Sequence, residues 1–154
     1  MGIRLSHVNV IVHLFLFSVL VSKGSSLFES KTAVHIRNDI EGDSAVFLNF
    51  HCQSGDDDLG YRGLKFGEEW HWKFRVRLGS TYFWCDYQWY DNLNHRWYEG
   101  SHEVYDAKSD FPLVPHYFNL CHTDCVWSAR RDGIYLLRHP EGTWERRYTW
   151  PGVF

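Results

Sequence analysis

The 154-residue sequence has no stretch in which apolar residues recur at three- and four-residue intervals, which argues against a bundle of amphipathic helices. It has no internal repeat and no low-complexity tract, so neither a solenoid nor a long disordered linker is expected. There is no Gly-x-Ser-x-Gly turn of the kind that presents a nucleophilic serine. If the four cysteines pair with one another, none is left for a Cys–His couple. Glu68, Glu69 and Glu99 read as surface carboxylates rather than as a glycosidase pair. An enzyme is not expected. No Asn-x-Ser/Thr acceptor occurs either, which argues against an N-linked glycan.

Long apolar runs are limited to one, from Val10 to Val21. It follows Arg4 and precedes the small residues Ser22, Gly24 and Ser26, the layout of a secretory signal peptide cut after Gly24 or Ser26. A membrane anchor needs roughly 20 uninterrupted apolar residues. This run is shorter, and His13 and Ser18 interrupt it. The expected organisation is a signal peptide over 1–24 and one soluble domain over 25–154, with no transmembrane segment in the mature chain.

Positive charge is also in short supply. Removing residues 1–24 takes away Arg4 and Lys23 and leaves 14 Lys and Arg against 19 Asp and Glu. Nucleic-acid affinity rests on many Lys and Arg contacts to phosphate, so a nucleic-acid partner is not expected.

Cys52, Cys85, Cys121 and Cys125 all lie in the mature part. An even count in a secreted chain reads as two disulfides. The alternative, a zinc site, is poorly served by Cys121-x-x-x-Cys125 and two distant cysteines. Sequence leaves three pairings open. Long loops constrain the unfolded chain more than short ones, by about 4 kcal/mol for loops of tens of residues. That leads to the expectation that Cys52 and Cys85 each pair with one of the late cysteines.

What the chain does have is aromatic residues, 18% of the total, and these favour strands and bury large areas. The segments 32–38 and 46–52 alternate apolar and polar residues. In Trp70-His71-Trp72-Lys73-Phe74-Arg75-Val76-Arg77 the apolar side chains face one way and the polar ones the other, the period of a half-buried strand. Gly79-Ser80 and a strand from Thr81 to Trp89 then suggest a hairpin. Arg96–Glu99 and Glu103–Tyr105 read as two shorter strands. Arg131-Asp132-Gly133 between two apolar runs signals a second hairpin, and Trp144–Trp150 is a candidate closing strand. The fold expected is all-β: an antiparallel sandwich of about seven to eight short strands.

Several possible sites compete with simpler readings. Asp56-Asp57-Asp58 offers oxygen ligands for Ca²⁺ but lacks EF-hand spacing, and a solvated turn is the simpler expectation. Eight histidines in the mature part stand at irregular spacings, so no metal site is expected from them. Their number raises the idea of a pH response in mildly acidic surroundings. Exposed Trp and Tyr on a strand face would suit stacking on sugars. Recognition in such a fold falls to loops, here 53–69, 90–96 and 106–120.

Taken in order, several motifs resemble one family. They are Val34-His35-Ile36-Arg37-Asn38, Leu48-Asn49-Phe50-His51-Cys52-Gln53-Ser54, Asp57-Asp58-Leu59-Gly60, Trp72-Lys73-Phe74, Thr81-Tyr82-Phe83-Trp84-Cys85, Cys125-Val126-Trp127 and Asp132-Gly133-Ile134-Tyr135. The order is similar to that of the plant self-incompatibility proteins, or S-protein homologues, over roughly residues 32–138. The resemblance implies a small secreted plant protein with a disulfide-held antiparallel β-sandwich, in which Cys52, Cys85, Cys121 and Cys125 are the family cysteines. It also implies an extracellular (apoplastic) ligand for a cell-surface receptor, as in pollen rejection, with no cofactor. A cell-wall carbohydrate-binding module is the alternative. The segment between Asp106 and Cys121, with Phe111-Pro112-Leu113-Val114-Pro115, is longer than the family pattern.

Overall fold

The structure is a computed structural model, which describes residues 31–42, 46–77, 79–107, 121, 124–139 and 141–151. The expected signal peptide and residues 108–120 of the expected recognition loop lie outside the described residues. Nine strands are seen among those described: β1 (Lys31–Asn38), β2 (Leu48–Ser54), β3 (Asp58–Leu64), β4 (Glu69–Arg75), β5 (Tyr82–Asp91), β6 (Arg96–Asp106), β7 (Asp124–Arg130), β8 (Gly133–Arg138) and β9 (Thr143–Tyr148). They form a five-stranded sheet, β4-β1-β7-β8-β9, and a four-stranded sheet, β3-β2-β5-β6.

The period-two patterning accounts for how the sheets pack. Leu48, Phe50 and Cys52 of β2 are buried, as are Phe83, Cys85, Tyr87 and Trp89 of β5. Val34 and Ile36 of β1, with Cys125, Trp127 and Ala129 of β7, join them in one core. Rings in that core meet off-centre or stacked: Trp89 lies 4.7 Å from Tyr98, and Phe83 lies 4.7 Å from Phe74. Such pairs add to what burial alone provides. Hydrogen bonds also cross between the layers. Trp127 Nε1–H donates to the Val104 carbonyl at 3.0 Å, and Tyr148 Oη–H donates to the Glu103 carbonyl at 3.1 Å.

Four expectations change. The segments around Gly79-Ser80 do not make a hairpin. β4 pairs with β1 in one sheet and β5 pairs with β2 in the other, so the turn carries the chain between layers. Arg96–Asp106 is one strand, because a bulge opposite Phe83 and Trp84 absorbs the break in alternation at Val104-Tyr105. Residues 58–64, expected as loop, form β3; Gly60 and Gly63 had hidden their alternation. Finally, β1 and β7 run parallel, within a fold otherwise paired antiparallel.

The cysteine pairing also differs from the expectation. Cys52 joins Cys85, and Cys121 joins Cys125. Unfolded-chain entropy favours long loops but does not choose partners; the sheet register does. It sets Cys52 directly opposite Cys85 on β2 and β5, with Cα atoms 4.0 Å apart. Cys125 belongs to the other layer, where its neighbour is the chain just before β7. The second hairpin forms as expected, with Arg131-Asp132 as its turn. Gly133 is required for a different reason: at φ 151° a Cβ there would sit 2.1 Å from the Tyr148 carbonyl oxygen.

Candidate functional site

The outer face of the four-stranded sheet is built by the residues that alternate with the core. Asn49, His51 and Gln53 of β2 point outward, as do Trp84, Asp86, Gln88 and Tyr90 of β5. Tyr61 stands opposite His51 on β3, and Glu99 and Ser101 stand opposite Gln88 and Asp86 on β6. Between these rows runs an open groove of about 440 Å³, with Tyr61 on one wall and Glu99 and Ser101 on the other. Its floor is the β2–β5 seam. Gly63, opposite Asn49, adds no side chain to fill it.

Aromatic rings surround this polar centre in pairs. His51 stacks on Tyr61 at 4.4 Å, Tyr82 lies 5.6 Å from Trp84, and Tyr90 lies 5.1 Å from Trp97. Tyr61 is 80% exposed, although a ring of that size commonly buries its apolar body. His51 is fixed from below as well: its Nε2 is 2.6 Å from Asp58 Oδ1, which also accepts the Gly60 N–H. The His51 hydrogen bond, seconded by Gly60, holds the Asp58 carboxyl below the usual carboxylate range. Asp56 and Asp57 thus belong to the bend that leads into β3, whose first residue is Asp58, with the Ser54 hydroxyl accepting the Asp56 and Asp57 N–H groups.

The second candidate loop, 90–96, is held by a buried carboxylate. Asp91 accepts the N–H groups of Leu93 and Asn94 and the Asn94 side chain, and it pairs with Arg131 at 2.6 Å. Burial would raise its pKa; the Arg131 and Asn94 bonds and the two backbone bonds outweigh that and hold it low. Leu93 in this turn and Trp97 just after it on β6 are exposed. The sequence points to the loops 53–69, which include Tyr61, and 90–96, but not to the outer sheet face. Alternation in β2 and β5 was legible. What it could not reveal was that β3 and β6 flank that pair.

Among the described residues no lysine or arginine lines this groove, and Asp86 and Glu99 do, so the chemistry of these residues is wrong for phosphate. Amides, hydroxyls, carboxylates and open rings on a rigid face suit recognition of another surface or of a sugar. No helix among the described residues is long and apolar enough to cross a membrane. The fold is a disulfide-stapled, two-sheet β-sandwich.

The comparisons with known proteins then place it. The family model described as "Plant self-incompatibility protein S1" matches residues 33–150. S-protein homolog 24 of Arabidopsis thaliana is 33% identical over 129 residues, 81% of this chain and 77% of that protein. S-protein homolog 2 of the same plant is 35% identical over 132 residues, 84% and 74% of the two chains. Among solved structures, that of a self-incompatibility protein homologue matches with a TM-score of 0.56 at 22% identity, covering 80% of this chain and 97% of that one. It is described as one of a widespread family of small, highly stable, secreted proteins from plants. The chain belongs to the plant self-incompatibility protein S1 family, and is a secreted extracellular protein.

Proposed function

We propose that this protein is a non-enzymatic extracellular ligand, read by a receptor protein on the surface of a plant cell. The groove-bearing face of the four-stranded sheet carries the reading. It keeps Tyr61, Trp97 and Tyr82 in water, whereas solvent-facing rings gathered on one rigid face mark interaction surfaces. Family membership supports a role in recognition between cells, of which pollen rejection is one form. Residues 1–24 act as the signal peptide that delivers the chain to the apoplast.

Labelled protein should bind intact plant plasma membranes saturably and be displaced by unlabelled protein. Tyr61→Ala combined with Gln88→Ala should abolish displacement while leaving the unfolding midpoint unchanged. Binding that is non-saturable, or indifferent to both changes, would sink the receptor reading.

The groove itself favours a second reading, a cell-wall glycan. A ring beside amide and carboxylate groups can stack on a sugar and hydrogen-bond its hydroxyls. Protease treatment of the membranes separates the two readings. It removes binding to a receptor protein and spares binding to a polysaccharide.

A further inference from the structure

The wet face of the other sheet carries a cluster that the recognition face does not use. Antiparallel pairing of β1 and β4 sets His35 directly opposite His71. Side chains so placed stand about 5 Å apart at Cβ. Here the two imidazole rings stack 4.9 Å apart, with 18° between their planes. Glu69 precedes His71 by two residues and so shares its face, and its Oε1 is 2.7 Å from His35 Nδ1. One ligand atom from each of the three residues falls within 4.8 Å of the others.

We propose that His35, His71 and Glu69 form a surface binding site for a Zn²⁺-class cation. Two imidazole nitrogens and one carboxylate oxygen are a donor set that Zn²⁺ accepts at about 2.0–2.2 Å, leaving a fourth position for water or a partner's side chain. The spread of ligand atoms closes to that distance through side-chain torsions, with the backbone register already set. Arg37 steadies the carboxylate: its Nε lies 3.9 Å from Glu69 Oε2, and it is itself held by Asp39 at 3.2 Å. Such outer contacts orient a metal ligand and leave the other oxygen for the ion. Lys73 and Arg75, the next outward residues on β4, and Lys31 opposite Arg75 are further cations on this face, and the exposed stem of Lys73 carries its ammonium into water.

Elsewhere the histidines are differently engaged. His51 has a single carboxylate partner and a stacked tyrosine, and His102 stacks on Tyr148 inside the sandwich. Ca²⁺ is the wrong ion, since it seeks six or more oxygens. Irregular spacing along the chain concealed the cluster. Only the β1–β4 register unites residues so distant in sequence.

The test is calorimetric titration of the untagged, chelator-treated secreted protein with Zn²⁺, repeated with Ca²⁺. The expected result is one Zn²⁺ per chain, no Ca²⁺, and a rise in unfolding temperature that chelation reverses. His35→Ala and His71→Ala should each weaken Zn²⁺ binding by at least about 10-fold, with Glu69→Gln weaker than wild type and His51→Ala unchanged. All four positions are solvent-facing, and near-UV circular dichroism checks that each variant keeps its packing. No saturable Zn²⁺ binding, or binding lost in His51→Ala and kept in the His35 and His71 variants, would overturn the proposal.

Discussion

At the scale of single residues, one amide ties three segments of the fold together. Asn38 ends β1 fully buried, and its Nδ2 donates to the carbonyls of Val46 at 3.2 Å and Leu64 at 2.9 Å. Its Oδ1 accepts the Ile40 N–H at 3.1 Å. Three chain segments from both sheets thus meet at one side chain. Asn38→Ala leaves two buried carbonyls and one N–H without partners, each costing about 1–3 kcal/mol before relaxation. A loss of about 3 kcal/mol in urea unfolding is expected, and a loss below 1 would mean that water takes the amide's place. Asp91 is the second such residue. Asp91→Ala strands Arg131 against Trp89, over whose ring the guanidinium lies at 5.7 Å. Breaking a partly buried pair of this kind should cost about 2–3 kcal/mol, read from the same denaturation curves, while Arg131→Lys, with Asp91 intact, should cost less because an ammonium keeps the ion pair but loses the guanidinium's simultaneous reach to the Glu41 carbonyl.

At the scale of elements, the two disulfides should differ in weight. Cys52–Cys85 closes 33 residues and Cys121–Cys125 closes 4. The chain-entropy relation gives about 4 kcal/mol for the first and about 2 for the second. Replacing each pair with alanine should rank them in that order by unfolding midpoint; equal losses would show that the small ring acts through native packing at the entry to β7. Elements are also where sequence was most and least informative. β1, β2, β4 and β5 announce themselves because strictly alternating residues such as Trp70, Trp72 and Phe74 leave one face to bury. β3 did not, since glycines interrupt it and an exposed arginine, Arg62, with its guanidinium 5.1 Å from the Trp70 ring, stands where alternation would place an apolar residue. Alternation states which face is buried, never which strand lies alongside. For that reason the disulfide partners, the groove and the His35–His71 contact all had to come from the register.

At the scale of the whole molecule, titration couples the fold to its surroundings. His102 lies within the sandwich, stacked 4.2 Å from Tyr148, and burial pushes its pKa below the ordinary 6.5. The unfolded chain therefore takes up this proton first. Stability from His102 is fully present above pH 6.5 and is lost as pH falls through the lower folded value. Below about pH 4 a second loss begins, as Asp58, Asp91, Asp132 and Glu145, all held low in the fold, become protonated. Glu103, raised by burial, opposes that loss as its own proton is bound. Urea midpoints should therefore decline between pH 7.5 and 5, and His102→Phe should flatten that limb while leaving the one below pH 4. A slope unchanged in His102→Phe would assign the upper limb to other histidines.

The parallel pairing of β1 with β7 has a consequence for how the protein is made. β1 lies between β4 and β7, so the first strand to enter the secretory lumen must wait for one of the last before its sheet is whole. Strands β2, β3, β5 and β6 can assemble earlier, largely from neighbours in the chain, and pairings of long range are the slow ones. Until β7 arrives, the inward rings of that early sheet have only β1 and β4 to cover them. An incompletely synthesised chain thus carries its own mark of incompleteness, a bare aromatic surface that lumenal chaperones can hold back.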